Sequence, residues 1–337
     1  MTQPHGRSPL LLATVRVIVA GGLFILVLRG GVWTTLSQVL VQSPWLPLLF
    51  TVPSLLGVFV EAERLRLLLR CQGISVPRAR LARLVTAAAF FGACVPGGTG
   101  GDVLKFFYLP REGQRPRSTL LATLLADRAV GLTSILLTAF ACASVVLTTT
   151  VPLDNTGWLL FLPLAGLVAV AIGVGLLWSR SQRVTRFRRA LVTLLPLQES
   201  IAAFFDALTL LRDHPVVLLR ATVWSTLGTI TLATVFAVAG WVLVPDLSGW
   251  VVAALALVGM IANAIPITPG GLGVGEAAFA GIFGLAGGVG GAPLIVLWRI
   301  GMLPVIVAGG LIYALGGARA APSVGPSGVS SSSETQA

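Results

Sequence analysis

Six stretches of this chain contain no Asp, Glu, Lys or Arg: residues 30 to 60, 129 to 153, 155 to 179, 221 to 245, 247 to 275 and 277 to 298. Each exceeds the roughly 20 residues that an α-helix needs to cross the hydrocarbon core of a bilayer. In lipid every backbone N–H and C=O must find its partner within the protein, and a helix achieves this inside a single segment. The expected fold is therefore an all-α polytopic membrane protein. Composition agrees, because only 10% of the 337 residues are charged and 55% are apolar, whereas a soluble domain carries roughly 25% charge. A soluble enzyme, a disulfide scaffold and a disordered chain are excluded.

The remaining charges report topology. Net charge is +11, yet the basic residues sit in short clusters between apolar runs with no nucleic-acid motif nearby, so no nucleic-acid partner is expected. Arg64, Arg66, Arg70, Arg78, Arg80 and Arg83 form one cluster; Lys105, Arg111, Arg115 and Arg117 a second; Arg180, Arg183, Arg186, Arg188 and Arg189 a third. By the positive-inside rule these loops are cytoplasmic, and both termini with them. The loops around Asp154 and Asp246 carry no basic residue and face outward, where Trp33, Trp45, Trp158, Trp241 and Trp250 form an aromatic belt.

Residues 10 to 28 read as a membrane helix and not a signal peptide, since Arg16 interrupts the run and no small-x-small cleavage pattern follows. Apolar residues recur at helical spacing over residues 183 to 213, which predicts two amphipathic cytoplasmic helices. The transmembrane domain is expected to span 1–318, and the Ser-, Gly- and Pro-rich residues 319–337 to form a disordered tail. Cys71, Cys94 and Cys142 show no C-x-x-C spacing and read as packing residues.

One apolar piece, Leu84 to Val95, has basic clusters on both flanks. Twelve helical residues reach about 18 Å, short of a core about 30 Å thick. The segment is expected to enter from the cytoplasm and return as a re-entrant hairpin with its tip at Pro96, Gly97, Gly98, Thr99, Gly100 and Gly101. The tip recurs: Pro96-Gly-Gly-Thr-Gly-Gly-Asp102 is echoed about 173 residues later by Pro269-Gly-Gly-Leu-Gly-Val-Gly-Glu276. Arg128 then follows Pro96 by 32 residues, and Arg299 follows Pro269 by 30. The second hairpin, residues 251 to 290, has no flanking arginine, so it enters from outside. The first half (about 10–150) and the second (about 157–318) thus form an inverted internal repeat, an arrangement typical of translocating proteins.

Backbone that reverses inside a membrane must be buried in protein or line a wet cavity, and glycine permits the tight turn. Pro96, Gly97, Gly98, Gly100, Gly101, Pro269, Gly270, Gly271 and Gly273 are the expected tip residues. The second helix of each hairpin presents its N-terminus at the tip, where free N–H groups attract anions. With Arg128, Arg299 and Lys105 nearby, the halves are expected to enclose an anion-receptive cavity, and lipid phosphate is the natural anion at that depth. Asp102 and Glu276 act as helix caps or as pairing partners, and Asp127 as a pairing partner. Arg299 follows 22 uncharged residues, which favours an intramembrane role over snorkelling from the outer interface. His5 and His214 lie far from these motifs, so no metal and no cofactor is expected.

In combination, PGGTGGDVLKFFYLPREG (96–113), LADRAVGL (125–132), IPITPGGLGVGEAAF (265–279) and WRIG (298–301) resemble the lysylphosphatidylglycerol synthase transmembrane-region family, also described as flippase-like. The resemblance covers roughly residues 10 to 318. It implies an eight-segment hydrophobic domain, in agreement with six full helices plus two hairpins. In its bifunctional members, the multiple peptide resistance factors, a soluble aminoacyltransferase domain follows, and the membrane domain is thought to move aminoacylated phosphatidylglycerol between leaflets. Here a short tail follows Arg319, so a stand-alone member without lysyl transfer or other enzyme activity is expected, in a bacterial plasma membrane. The expected function is a lipid translocator or lipid-binding carrier for an anionic phospholipid or a polyprenyl-linked lipid. Arg128, Arg299 and Lys105 would contact the headgroup. The alternative is an accessory subunit that presents a lipid to a separate glycosyl- or aminoacyltransferase and docks it through residues 183 to 213. A lipid-modifying enzyme lacks any His, Cys or Ser constellation to supply a nucleophile.

Overall fold

The structure, a computed structural model, describes residues 33–94, 100–109, 117–149, 157–178, 198–263, 268 and 271–315. Among these lie eleven α-helices and no strand: α1 (Trp33–Gln42), α2 (Leu46–Cys71), α3 (Arg78–Cys94), α4 (Gly100–Tyr108), α5 (Arg117–Thr149), α6 (Gly157–Trp178), α7 (Gln198–Arg212), α8 (Pro215–Leu243), α9 (Gly249–Asn263), α10 (Val274–Leu285) and α11 (Gly291–Ala314). The expected helix over residues 10 to 28, the amphipathic stretch before residue 198, the Asp154 loop and the tail 319–337 fall outside the described residues.

Helices α2, α5, α6, α8 and α11 are each long and apolar enough to cross a membrane. The chain is a multi-pass helical membrane protein. Its outer surface fits that solvent: Leu48, Val52, Leu55 and Phe59 run as an exposed stripe along α2, and Leu219, Val223, Leu227 and Ile230 along α8. Apolar surface of this extent is rarely left in water by a soluble protein. Trp45, Trp241 and Trp250 are also exposed, and the contact of Phe50 with Phe236 sets the start of α2 beside the end of α8. Hydroxyls inside the helices donate back to the carbonyl four residues earlier, as Ser54 does to Phe50 and Thr123 to Thr119, so they are satisfied without water.

Two expectations are corrected. The uncharged run from residue 30 to 60 is divided by a turn at Ser43, where Leu46 N–H donates to the Ser43 carbonyl; Pro44 has no N–H to continue α1. All six residues of the first arginine cluster are helical and not in a loop, since Arg64, Arg66 and Arg70 lie within α2 and Arg78, Arg80 and Arg83 within α3. Internal partners make this tenable: Arg66 is buried against Glu63, three residues away, at 2.6 Å. Helix α3 therefore starts at Arg78, six residues before the apolar piece, and its 17 residues reach about 25 Å, still under one core thickness.

The packing of the halves is crossed. Helix α3 lies on α11 as α9 lies on α5, α2 lies on α11 as α8 lies on α5, and α2 meets α8 between them. The contacts made by α2–α5 thus mirror those made by α8–α11. The helical pairs α3–α4 and α9–α10 occupy equivalent places, each with its own core. Helix α9 is buried on every side from Val251 to Gly259, against Phe279, Phe283 and the first turns of α11. By contrast α3 fully buries only Leu81, Leu84, Val85, Ala87 and Ala88, against α2, α4 and the start of α5, while Thr86 and Phe90 face α11.

Candidate functional site

The turn before α10 is built from glycine. Gly271 and Gly273 have φ of 71° and 79°, the left-handed region that residues with a Cβ avoid. Glu276, in the first turn of α10, accepts the Gly273 N–H at 2.6 Å through Oε2 and Arg299 Nε at 2.7 Å through Oε1. It is both a cap and a pairing partner, the two roles its position allowed. Arg299 Nη2 also donates to Asn263 Oδ1 and to the Gly271 carbonyl, each at 2.9 Å. One guanidinium thus ties the end of α9, the glycine turn and the start of α10 to α11.

The equivalent corner of the first half again sets a carboxylate against an arginine. Asp102, in the first turn of α4, accepts Arg128 Nε at 2.5 Å and lies 3.5 Å from Lys105 Nζ. Lys105 also donates to Glu61 of α2. Gly101 is a close-approach position, because a Cβ built there would stand 2.6 Å from the Ala88 carbonyl oxygen of α3. Asp127 does not pair with its neighbour Arg128. It takes Arg64 of α2 in a two-point bridge of 2.6 and 2.9 Å, while Arg64 Nη1 donates to Ser225 of α8 at 2.9 Å. Gly100 is buried in the first turn of α4. Pro96, Gly97, Gly98, Pro269 and Gly270 lie outside the described residues.

Between the two helical pairs lies a cavity of about 860 Å³, to which both halves contribute. Glu61, Arg64, Lys105, Asp102, Asp127, Arg128 and Arg299 line its polar part, and Leu132, Ile135, Met260, Ile261, Trp298, Met302, Leu303 and Ile306 its apolar part. The volume is within the range of small-molecule sites, and the division into polar and apolar walls suits an amphiphile. Gly271 lines it too, whereas Glu276 stands just behind, on Arg299.

The family model for the lysylphosphatidylglycerol synthase TM region matches residues 13–310. The chain belongs to that family. No curated protein and no solved structure gives a match. Membership carries a lipid-related role in the membrane for this fold, and the cavity is the place in it where polar groups from both halves converge.

Sequence reading missed four contributors: Glu61, Arg64, Ser225 and Asn263. Glu61 and Arg64 had a signal, since opposite charges three apart fall on one face of a helix and follow directly on an uncharged run. Ser225 and Asn263 had none, being neutral residues inside apolar helices. The described part of the amphipathic stretch, α7, packs on α5 and buries Ala207 and Leu211, with the Ala207 carbonyl accepting Gln72 Nε2 at 2.8 Å. Part of that face is thus spent on the bundle.

Proposed function

We propose that this chain is a lipid translocator or lipid-binding carrier that seats a phosphate-bearing headgroup, of an anionic phospholipid or a polyprenyl-linked lipid, in the cavity between the helical pairs. The observation that carries this reading is the juxtaposition of Arg128, Lys105, Arg64 and Arg299 with a continuous apolar wall in one space shared by both halves. Phosphate oxygens accept from arginine and lysine more strongly than neutral acceptors do, while the acyl chains keep to the apolar wall and the surrounding lipid. The crossed packing supports alternate opening of the two pairs around a fixed site. The arginine clusters orient the chain in a bacterial plasma membrane with both termini cytoplasmic.

Reconstitution into liposomes with leaflet-selective lipid reporters tests the proposal. Wild-type protein should equilibrate phosphatidylglycerol between leaflets, and Arg128→Ala should abolish that flux. Flux unchanged in both Arg128→Ala and Arg299→Ala removes the headgroup role. Absence of any flux together with a co-purifying glycosyl- or aminoacyltransferase establishes the accessory-subunit alternative instead.

A further inference from the structure

Resting on that reading and on the cytoplasmic placement of the arginine clusters, we infer that the cavity holds two acyl-chain tracks of opposite direction, one for a phospholipid of each leaflet. Leu132 and Ile135 on α5 take the chain of a cytoplasmic-leaflet lipid, and Leu303 and Ile306 on α11 that of an outer-leaflet lipid. The starting point is a pattern the two helices share. Arg128, Leu132 and Ile135 stand at the same spacing as Arg299, Leu303 and Ile306, and all six residues line the cavity. Positions four and seven apart fall on one face of a helix, so each arginine continues into an apolar track about 10 Å long.

Each track leaves its arginine in one direction. Among the described residues, the cavity wall on α5 and on α11 begins at the residue before the arginine, Asp127 or Trp298, and extends only toward the C-terminus of the helix. The two helices run oppositely. Arg117, at the start of α5, lies over the Phe107 ring at 5.7 Å, and Tyr313, at the end of α11, meets Tyr108, the next residue of α4, with ring centroids 6.2 Å apart. The start of α5 and the end of α11 therefore share one end of the bundle. Arg117 belongs to the second basic cluster, which assigns that end to the cytoplasm. The α5 track thus leads from Arg128 away from the cytoplasm, and the α11 track leads from Arg299 toward it.

A phospholipid keeps its phosphate at its own membrane surface and its chains toward the midplane. Phosphate at Arg128 with a chain along Leu132 and Ile135 is the posture of a cytoplasmic-leaflet lipid; phosphate at Arg299 with a chain along Leu303 and Ile306 is that of an outer-leaflet lipid. Depth agrees at α5, since residues 129–149, helical throughout, reach about 30 Å, one full core, and leave Arg128 at the inner boundary. Both tracks meet the surrounding lipid, because Leu132 is 38% and Leu303 51% exposed. The arginines differ, with side chains 48% exposed at Arg128 and 17% at Arg299, so the cytoplasmic-leaflet seat is the more accessible one.

The test is photolabelling with phosphatidylglycerol that carries a diazirine in one acyl chain, added to membrane vesicles containing the full chain. Added lipid enters the leaflet facing the solution, which is the cytoplasmic leaflet of inverted vesicles and the outer leaflet of right-side-out ones. Irradiation in the cold precedes mixing of the leaflets, and labelled peptides are mapped by mass spectrometry. Inverted vesicles should label α5 around Leu132 and Ile135; right-side-out vesicles should label α11 around Leu303 and Ile306, more weakly. Arg128→Ala should lower the α5 label about tenfold and spare the α11 label. The same peptide labelled from both sides overturns the assignment of tracks to leaflets and leaves the headgroup reading standing. Label confined to the outer stripes of α2 and α8 overturns the tracks themselves. An α5 label that Arg128→Ala leaves unchanged overturns the headgroup reading and the paired seats with it.

Discussion

The two helical pairs carry the same device, a carboxylate in the first turn of the second helix bonded to an arginine of the next long helix, but in different surroundings. At the second pair the Glu276 and Arg299 side chains are 0% and 17% exposed; at the first, Asp102 and Arg128 are 28% and 48% exposed. Helix α10 packs along much of α11, whereas α4 touches α5 at few positions. Arg299 donates to Glu276, Asn263 and Gly271, and Asp102 lies between Arg128 and Lys105. The second corner is closed off from the surroundings and the first is open to them. Removing one partner of a buried ion pair costs far more than removing one partner of an exposed pair, so the two corners should respond differently to the same substitution.

Substitutions that treat the two corners alike are the strongest way to break this comparison. Glu276→Ala should cost about 3–5 kcal/mol, the penalty for leaving a buried guanidinium unpaired, read as a large drop in thermal midpoint in detergent. Asp102→Ala should cost about 1 kcal/mol or less. Equal losses would mean that the exposure difference has no energetic content. Next in size, Gly271→Ala should cost about 1–2 kcal/mol for its left-handed backbone, with added crowding against Asn263, and the same unfolding assay reads it. Asn263→Ala should cost about 1 kcal/mol by removing one hydrogen bond from Arg299. Smallest in stability is Arg128→Ala, under about 1 kcal/mol; its effect should appear in lipid flux and leave the midpoint nearly unchanged. A midpoint drop to match the lost flux would make Arg128 a structural contact like Arg299.

Much of this was legible in the chain because a membrane restricts what charge is allowed to do. Uncharged runs located four of the five long spans directly, and the matching offsets from Pro96 to Arg128 and from Pro269 to Arg299 singled out the arginine of each corner. The same rule concealed Arg64. An arginine at the end of an apolar run reads as a loop marker, and only three-dimensional packing reveals that α2 continues past it and delivers it to Asp127 and Ser225. The pair of Glu61 with Lys105 was equally hidden, since the two stand 44 residues apart in sequence. Asp102, Asp127 and Glu276 were visible as pairing candidates, but which cation each one takes follows only from the packing.

Lipid retention reports most directly on the claim that the Arg128 corner seats a phosphate headgroup. Wild type, Arg128→Ala and Leu48→Ala, the last on the exposed stripe of α2, would be purified from phosphatidylglycerol-containing membranes and their bound lipid counted by mass spectrometry. Wild type and Leu48→Ala should retain phosphatidylglycerol equally, and Arg128→Ala about tenfold less, the loss expected for roughly 1.4 kcal/mol. Equal retention by all three would contradict the claim.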